Sequence, residues 1–152
     1  MSSTDRGEPK LIFPGLAVFY AAVSDLWYPM IRITVGAILL VHGWGKIANG
    51  IAPLANYLGR AGLTPPTPLA YVVYLNETVG AVCIILGLFT RFFAASIAIE
   101  LAVALWLVHA AKGFGASAGG YEYVLMWGIV MFAIALRGGG PYSLDRVIGK
   151  EL

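Results

Sequence analysis

Four apolar segments, each about as long as a bilayer is thick, constrain this sequence more than any other feature. A membrane-spanning helix needs about 20 mostly apolar residues at a rise of about 1.5 Å each. The windows run from Trp27 to Ile47, from Leu69 to Leu88, from Phe92 to Ala111 and from Gly119 to Leu136. Only 12% of the chain is charged and its mean hydropathy is +0.80, whereas soluble domains hold about 25% charged residues. The sequence therefore predicts an all-α protein, a bundle of four transmembrane helices.

Three weaker apolar segments are predicted to be short helices at the membrane surface. Segment 11–23 is too short to cross the bilayer and contains Pro14. Segment 52–63 shows helical spacing of its leucines and is stopped by the proline-rich TPPTP. The C-terminal segment 138–152 begins with glycines that end the fourth helix.

The basic residues predict which way the chain crosses the membrane, because lysine and arginine favour the cytoplasmic side. With four spans, seven lie on the side of the termini: Arg6, Lys10, Arg32, Arg91, Arg137, Arg146 and Lys150. Three lie on the other side: Lys46, Arg60 and Lys112. We therefore predict a multi-pass protein of the cell membrane, the inner membrane in a Gram-negative bacterium, with both termini in the cytoplasm. Its parts are a cytoplasmic tail with an interfacial segment (1–26), a transmembrane domain (27–137) and a cytoplasmic tail (138–152).

Composition also excludes several functional classes. A net charge of +2 without a basic run argues against nucleic-acid binding. Cys83 is the single cysteine, so the chain forms neither an internal disulfide nor a CxxC redox pair. The sequence contains no haem, iron–sulfur or flavin motif. Any electron transfer therefore requires a bound cofactor or a partner protein.

Ionisable residues inside the spans need a partner or a purpose, since each costs at least about 2.5 kcal/mol at a helix centre. Arg32 and Glu100 fall nearer the cytoplasmic side of the first and third spans. We expect them to form a buried ion pair that holds the helices together. Five others fall nearer the outer side and come from all four helices: His42, Lys46, Glu77, His109 and Glu122.

These outer residues are candidates for a functional site. His42 and Lys46 are four residues apart and share one helix face. Each residue alone has a structural interpretation, because an interfacial histidine is commonly a hydrogen-bonding residue and a lysine extends its charge into the headgroups. The convergence of two histidines and two carboxylates at one depth favours a polar site.

Three chemistries suit such a site. A metal would need pre-organised spacing such as Glu-x-x-His, which no helix provides, so no metal is predicted. A proton relay fits, because histidine and membrane carboxylates exchange protons. A quinone head group also fits, held by hydrogen bonds and flanked by aromatic side chains that would otherwise form an interfacial belt. The residues expected around it are Trp44, Lys46, Trp106 and Tyr121, with Tyr123 beside them.

Five short motifs follow one another along the chain. They are VHGWGK, NETVGAVCIILGLFTR, LVHAAKGF, GGYEY and GGGPYSLDR. Their order and spacing over roughly residues 27–146 resemble the DoxX family of small four-helix membrane proteins. The resemblance implies a link to oxidoreductase systems, since the name-giving relatives belong with a membrane thiosulfate:quinone oxidoreductase. The matching family positions are His42, Gly43, Gly45, Lys46, Glu77, Gly80, Gly87, Arg91, His109, Tyr121, Glu122, Ser143 and Asp145.

The sequence thus predicts a quinone-interacting membrane subunit of an oxidoreductase, acting with a partner redox protein or as a homo-oligomer. His42 and Glu77 would hydrogen-bond or exchange protons with the head group, and His109 and Glu122 would complete the pocket. Two alternatives remain open. One is a non-catalytic membrane anchor or assembly partner; the other is a small-solute transporter, for which four helices without an inverted repeat are few.

Overall fold

The computed structural model describes residues 11–152, and this part of the chain consists of helices and turns without β-strands. The predicted tail residues 1–10, with Arg6 and Lys10, lie outside the described residues. The helices are α1 (Ala17–Val23), α2 (Trp27–Asn49), α3 (Ala52–Arg60), α4 (Pro66–Leu86), α5 (Thr90–Lys112), α6 (Glu122–Arg137) and α7 (Leu144–Ile148). The all-α prediction is confirmed.

Among the described residues, three helices are long and apolar enough to cross a membrane. These are α2, α4 and α5, with 23, 21 and 23 residues. The predicted fourth span corresponds to α6, which packs along α5 but has 16 residues. At about 1.5 Å per residue, α6 covers about 24 Å of a hydrocarbon core that is about 30 Å thick. The fourth span therefore stays a prediction.

The helices α4 and α5 form a tight antiparallel hairpin. Its turn contains Gly87 and Phe89, whose φ angles are +68° and +48°. A Cβ at Gly87 would collide with the Arg32 guanidinium and with Ser143. The turn therefore packs against both α2 and the C-terminal segment, and this position needs glycine for its backbone and for its lack of a side chain.

The four long helices share an apolar interior, while their outer faces expose large apolar side chains. The buried core residues are Tyr28, Val35, Ile84, Ala94, Ile97, Met131 and Ile134. On the outside, Val41 is 74% exposed and Trp106 is 76% exposed. An apolar exterior around an apolar core suits lipid as the solvent, so the helices lie in a bilayer.

The three segments predicted to lie at the membrane surface contain the short helices α1, α3 and α7. α3 buries Ala55 and Leu58 against Ala70 of α4, which fixes this helix next to the first half of α4. Where the three helices lie relative to the headgroups stays a prediction.

A group of polar side chains ties the C-terminal segment to the hairpin turn and to the start of α2. We call it the C-terminal network: Tyr28, Arg32, Thr90, Ser143 and Asp145. The Asp145 carboxylate accepts hydrogen bonds from the backbone N–H of Phe89 at 2.7 Å, and from the N–H and hydroxyl of Thr90 at 2.9 and 2.7 Å. Since helix starts leave N–H groups unpaired, Asp145 acts as the cap of α5 from a distant part of the chain.

The prediction of an Arg32–Glu100 ion pair is wrong. Arg32 donates hydrogen bonds to the carbonyl oxygens of Gly139 and Tyr142 at 2.6 and 2.8 Å. Glu100 instead accepts a hydrogen bond from the Asn76 amide at 2.8 Å. The physical reason is that the irregular chain after α6 presents carbonyl oxygens that no helix uses, and these solvate a buried guanidinium without a carboxylate.

Candidate functional site

A second polar group combines side chains from α2, from the middle of α4 and α5, and from the last turns of α5, and we call it the cavity cluster. Its members are His42, Lys46, Asn76, Glu77, Ser96, Glu100 and His109. Glu77 lies ten residues before Gly87, and Glu100 lies ten residues after Thr90. An antiparallel hairpin turning between Gly87 and Thr90 therefore brings both carboxylates to one level.

Gly43 allows α2 to approach α4 at this level. A Cβ at Gly43 would collide with the backbone carbonyl group of Glu77. The close approach puts Lys46, about one helical turn further along α2, next to the same residue. The Lys46 ammonium and the Glu77 carboxylate form an ion pair. The structure thus explains why a glycine and a lysine occur three residues apart at the end of the first apolar segment.

Glu100 is held differently from Glu77. Its carboxylate accepts a hydrogen bond from the Asn76 amide at 2.8 Å, and the Asn76 carbonyl oxygen accepts one from the Ser96 hydroxyl at 3.0 Å. Because the Ser96 bond occupies the carbonyl end of the Asn76 side chain, the NH₂ group is directed at Glu100. One carboxylate of the cluster is therefore paired with a cation, and the other with a neutral amide.

Both helices of the hairpin widen near the cluster. Asn76–Gly80 in α4 and Leu105–His109 in α5 are π-helical turns, and they carry Glu77 and His109. Such turns are rare and frequently occur at functional sites. The His109 Nδ1 lies 2.7 Å from the Gly119 carbonyl oxygen. Because a carbonyl only accepts hydrogen bonds, Nδ1 carries a proton, which leaves Nε2 as the ring nitrogen that can accept one.

A first cavity of about 280 Å³ opens next to the cluster between α2, α5 and α6. Its polar lining residues are His42, Glu77, Glu100, His109, Tyr123 and Trp127. The rest of its wall is aliphatic, with Leu39, Leu101 and Met131 among the lining residues. The indole N–H of Trp127 is buried and has no hydrogen-bond acceptor among residues 11–152. This volume is close to the lower end of ligand pockets, which begin at about 300 Å³.

A second cavity of about 390 Å³ adjoins the same cluster on the side of α3 and the first half of α4. Lys46, Asn76 and Ser96 line only this cavity. Glu77, Glu100 and His109 line both cavities. The cavity cluster is therefore a polar wall between the first and the second cavity.

Four predicted site residues do not join the cluster. Trp44 and Trp106 are 66% and 76% exposed and line neither cavity. Trp44 follows Gly43 directly, so helical geometry turns it about 100° away from the contact with α4. Tyr121 and Glu122 lie where α6 begins, and the Glu122 carboxylate accepts a hydrogen bond from the N–H of Ala116 at 3.0 Å. The prediction placed Glu122 with the other carboxylate, but its side chain folds back onto the preceding loop.

The sequence analysis missed four members of the site. Asn76, Ser96 and Trp127 were not considered, and Glu100 was assigned to the wrong partner. Glu77 and Glu100 lie the same number of residues from the hairpin turn, and this spacing predicts that Glu100 lies at the level of Glu77. Nothing in the sequence marked Trp127, because its position depends on how α6 packs against α5.

The positions of the cluster can be compared with known proteins. The sequence profile of the DoxX family matches residues 28–110, which is more than half of the chain. The chain belongs to the DoxX family. All seven members of the cavity cluster fall within the matched residues, whereas α6 and the C-terminal Ser143 and Asp145 fall outside them.

Full-length relatives extend the match. A Haemophilus influenzae protein described as uncharacterized is 31% identical over 124 residues, 80% of this chain and 90% of that protein. "Putative oxidoreductase CatD" of Bacillus subtilis is 30% identical over 121 residues, 80% of this chain and 86% of CatD. "Inner membrane protein YqjF" of Escherichia coli is 28% identical over 131 residues, 85% of this chain and 97% of YqjF. No solved structure shows significant similarity to this DoxX-family chain.

Proposed function

We propose that this DoxX-family protein is a quinone-interacting subunit of a membrane oxidoreductase system. The name of CatD supports the oxidoreductase class and that of YqjF supports an inner-membrane location. In this proposal α6 is the fourth span, both termini lie in the cytoplasm, and the first cavity binds the quinone head group.

The proposal rests mainly on Trp127, which lines the first cavity and whose buried indole N–H has no acceptor among residues 11–152. A buried donor without an acceptor costs about 1–3 kcal/mol, so it needs an explanation. A ligand with a carbonyl oxygen would satisfy it, and the aliphatic wall with Leu39 and Met131 suits an apolar ring. A quinone combines a flat apolar ring with carbonyl oxygens.

Four polar residues of the first cavity would each have a defined part. Bound quinone would supply the two-electron chemistry, for which the chain has no motif of its own. Trp127 would donate a hydrogen bond, and His109 would offer Nε2 as a proton acceptor. Glu100 would hold a proton at a carboxylate oxygen, while the ion pair with Lys46 keeps Glu77 in place.

Electrons would come from a partner redox protein, because a single buried cysteine cannot cycle between a dithiol and a disulfide within one chain. In the proposed topology the loop between α5 and α6 faces away from the cytoplasm. Reporter fusions after Gly115 and after Leu152 test this topology. If a reporter that is active only outside the cytoplasm were active when fused after Leu152, the proposed topology would be wrong.

The binding proposal is tested by the quinone content of the protein purified in mild detergent from a quinone-containing membrane. We expect about one quinone per chain above the lipid background. Trp127→Phe removes one hydrogen bond of about 1 kcal/mol, so the bound fraction should fall about fivefold under limiting quinone. Trp106→Phe is the matched control, since Trp106 lines neither cavity, and should leave the content unchanged. Background quinone in the wild type, or equal loss in both variants, would contradict the proposal.

A membrane anchor is the second candidate, favoured by the Lys46–Glu77 ion pair, which also links α2 to α4. If the cluster only locks the helices, Lys46→Met together with Glu77→Leu should preserve folding and capture of the partner. Quinone content would then be at background in the wild type as well. Thermal unfolding and co-purification measured on the same samples separate the two functions.

A further inference from the structure

The second cavity has no part in holding the head group, although it touches the same carboxylates. We propose that it is the water-filled proton access of the site, and that Glu100 transfers protons from it to the first cavity. The proposal rests on the proposed function only for the final proton acceptor, which is a quinone oxygen.

The second cavity has both the room and the polar partners that water requires. At about 30 Å³ per water molecule, its volume of about 390 Å³ holds several waters. Each buried water needs about two to four hydrogen-bond partners. The polar residues lining the cavity are Lys46, Tyr57, Asn76, Glu77, Ser96, Glu100 and His109.

Glu100 is better suited to carry a proton than Glu77. A proton on Glu77 would cancel its ion pair with Lys46, which holds α2 against α4. Glu100 is bonded to the neutral Asn76 amide, so its charge can change without breaking an ion pair. Titratable or charged groups around the two cavities that Glu100 lines come from every neighbouring helix: His42, Lys46, Tyr57, Glu77, His109 and Tyr123.

A water-borne proton in the second cavity forms an O–H bond with the Glu100 carboxylate. That bond breaks when the proton passes to an oxygen of the head group in the first cavity. Two such transfers accompany the two electrons that a reduced donor of the partner redox protein supplies, and Glu100 returns to its starting state after each one.

The experiment measures hydrogen–deuterium exchange of the Glu100 carboxyl group by infrared spectroscopy, on protein in lipid without added quinone. The infrared band of the Glu100 carboxyl group and its response to pH are identified by their absence in the Glu100→Gln variant. Val103→Phe places a larger side chain in the lining of the second cavity and should slow the exchange about tenfold or more. Val82→Phe is the matched control, because Val82 lines neither cavity and is exposed on α4. It should leave the rate unchanged.

A second measurement keeps the proposal testable if Val103→Phe disturbs packing. In a Cys83→Ser background, Val108→Cys puts the only thiol in the lining of the second cavity. A small hydrophilic thiol reagent should label it at least tenfold faster than Ile84→Cys in the buried core. The proposal would be overturned if Val108→Cys and Ile84→Cys were labelled at equal rates. It would also be overturned if Glu100→Gln lost no infrared band, or if a folded Val103→Phe protein exchanged the Glu100 proton at the wild-type rate. None of these readouts depends on quinone, so failure here is distinguishable from failure of quinone binding.

Discussion

The two polar groups of this protein differ in burial and are constructed in opposite ways. In the C-terminal network Arg32, Thr90 and Asp145 are 1% exposed or less, and most of their bonds go to backbone groups of turns. In the cavity cluster the bonds of Lys46 and Glu100 go to side chains, and two cavities border the carboxylates. The first group completes the backbone bonding of the fold, whereas the second leaves space for something else to bind.

This difference helps to separate structural from functional charge in a membrane protein. Both groups contain ionisable residues that are costly within a bilayer, so this cost alone does not identify a site. What distinguishes the cavity cluster is the pair of cavities between the helices that its carboxylates line. An unpaired donor does not distinguish it, because among residues 11–152 the buried Arg32 Nε of the C-terminal network lacks an acceptor as well as the Trp127 indole N–H. Substitutions in the two groups test whether the distinction holds.

Asp145→Ala should cause the largest loss of stability. It removes the acceptor of three hydrogen bonds from Phe89 and Thr90, and each buried donor left unpaired costs about 1–3 kcal/mol. We expect the free energy of unfolding in detergent to fall by about 3 kcal/mol or more, measured by denaturant titration. Asp25→Ala, on an exposed position, is the control. Similar stability of the two variants would show that the network does not hold the hairpin.

Gly87→Ala should have the next largest effect. A left-handed residue with a side chain costs about 1–2 kcal/mol, and here the added Cβ also collides with Arg32. Gly149→Ala is the matched control, since Gly149 is also left-handed, with a φ of +73°, and has no atoms within 4 Å of an added Cβ. Thermal unfolding should therefore show a clearly larger loss for Gly87→Ala. Equal losses would mean that only backbone strain matters at the turn.

Glu100→Gln should change stability least, because glutamine still accepts the hydrogen bond from Asn76. We expect a change in unfolding free energy within about 1 kcal/mol together with loss of carboxyl exchange. Asp145→Asn is the corresponding change in the C-terminal network and should be more destabilising, since one amide cannot accept from three donors. If Glu100→Gln unfolded the protein, the cavity cluster would be structural as well.

Much of the fold follows from the sequence. The long helices are set by runs of apolar residues, and the hairpin by the short GLFTR turn. The sequence predicts that α6 exists but does not set its length, because the GGYEY segment delays its start until Glu122. Helix ends depend on local capping interactions, and the extent of an apolar segment gives no information about these.

The site was only partly predictable. His42, Lys46, Glu77 and His109 stood out because ionisable residues are costly in a span. Glu100 stood out for the same reason but was paired with Arg32, because depth was counted from approximate window ends and not from the hairpin turn. The carbonyl groups that bind Arg32 belong to glycine-rich chain more than 100 residues away, and no local pattern reveals such a contact. Trp127 likewise required the packed helices.

The central claim is that the first cavity binds a quinone, and photo-crosslinking tests it most directly. The protein in lipid is illuminated with an azido-substituted quinone, digested and mapped by mass spectrometry, with excess unlabelled quinone as competitor. The account predicts competable labels on residues that line the first cavity, such as Leu39, Tyr123 and Trp127, and loss of that labelling in Trp127→Phe. Labels confined to outward-facing residues such as Val41 and Trp106, or labels that the competitor does not reduce, would contradict it.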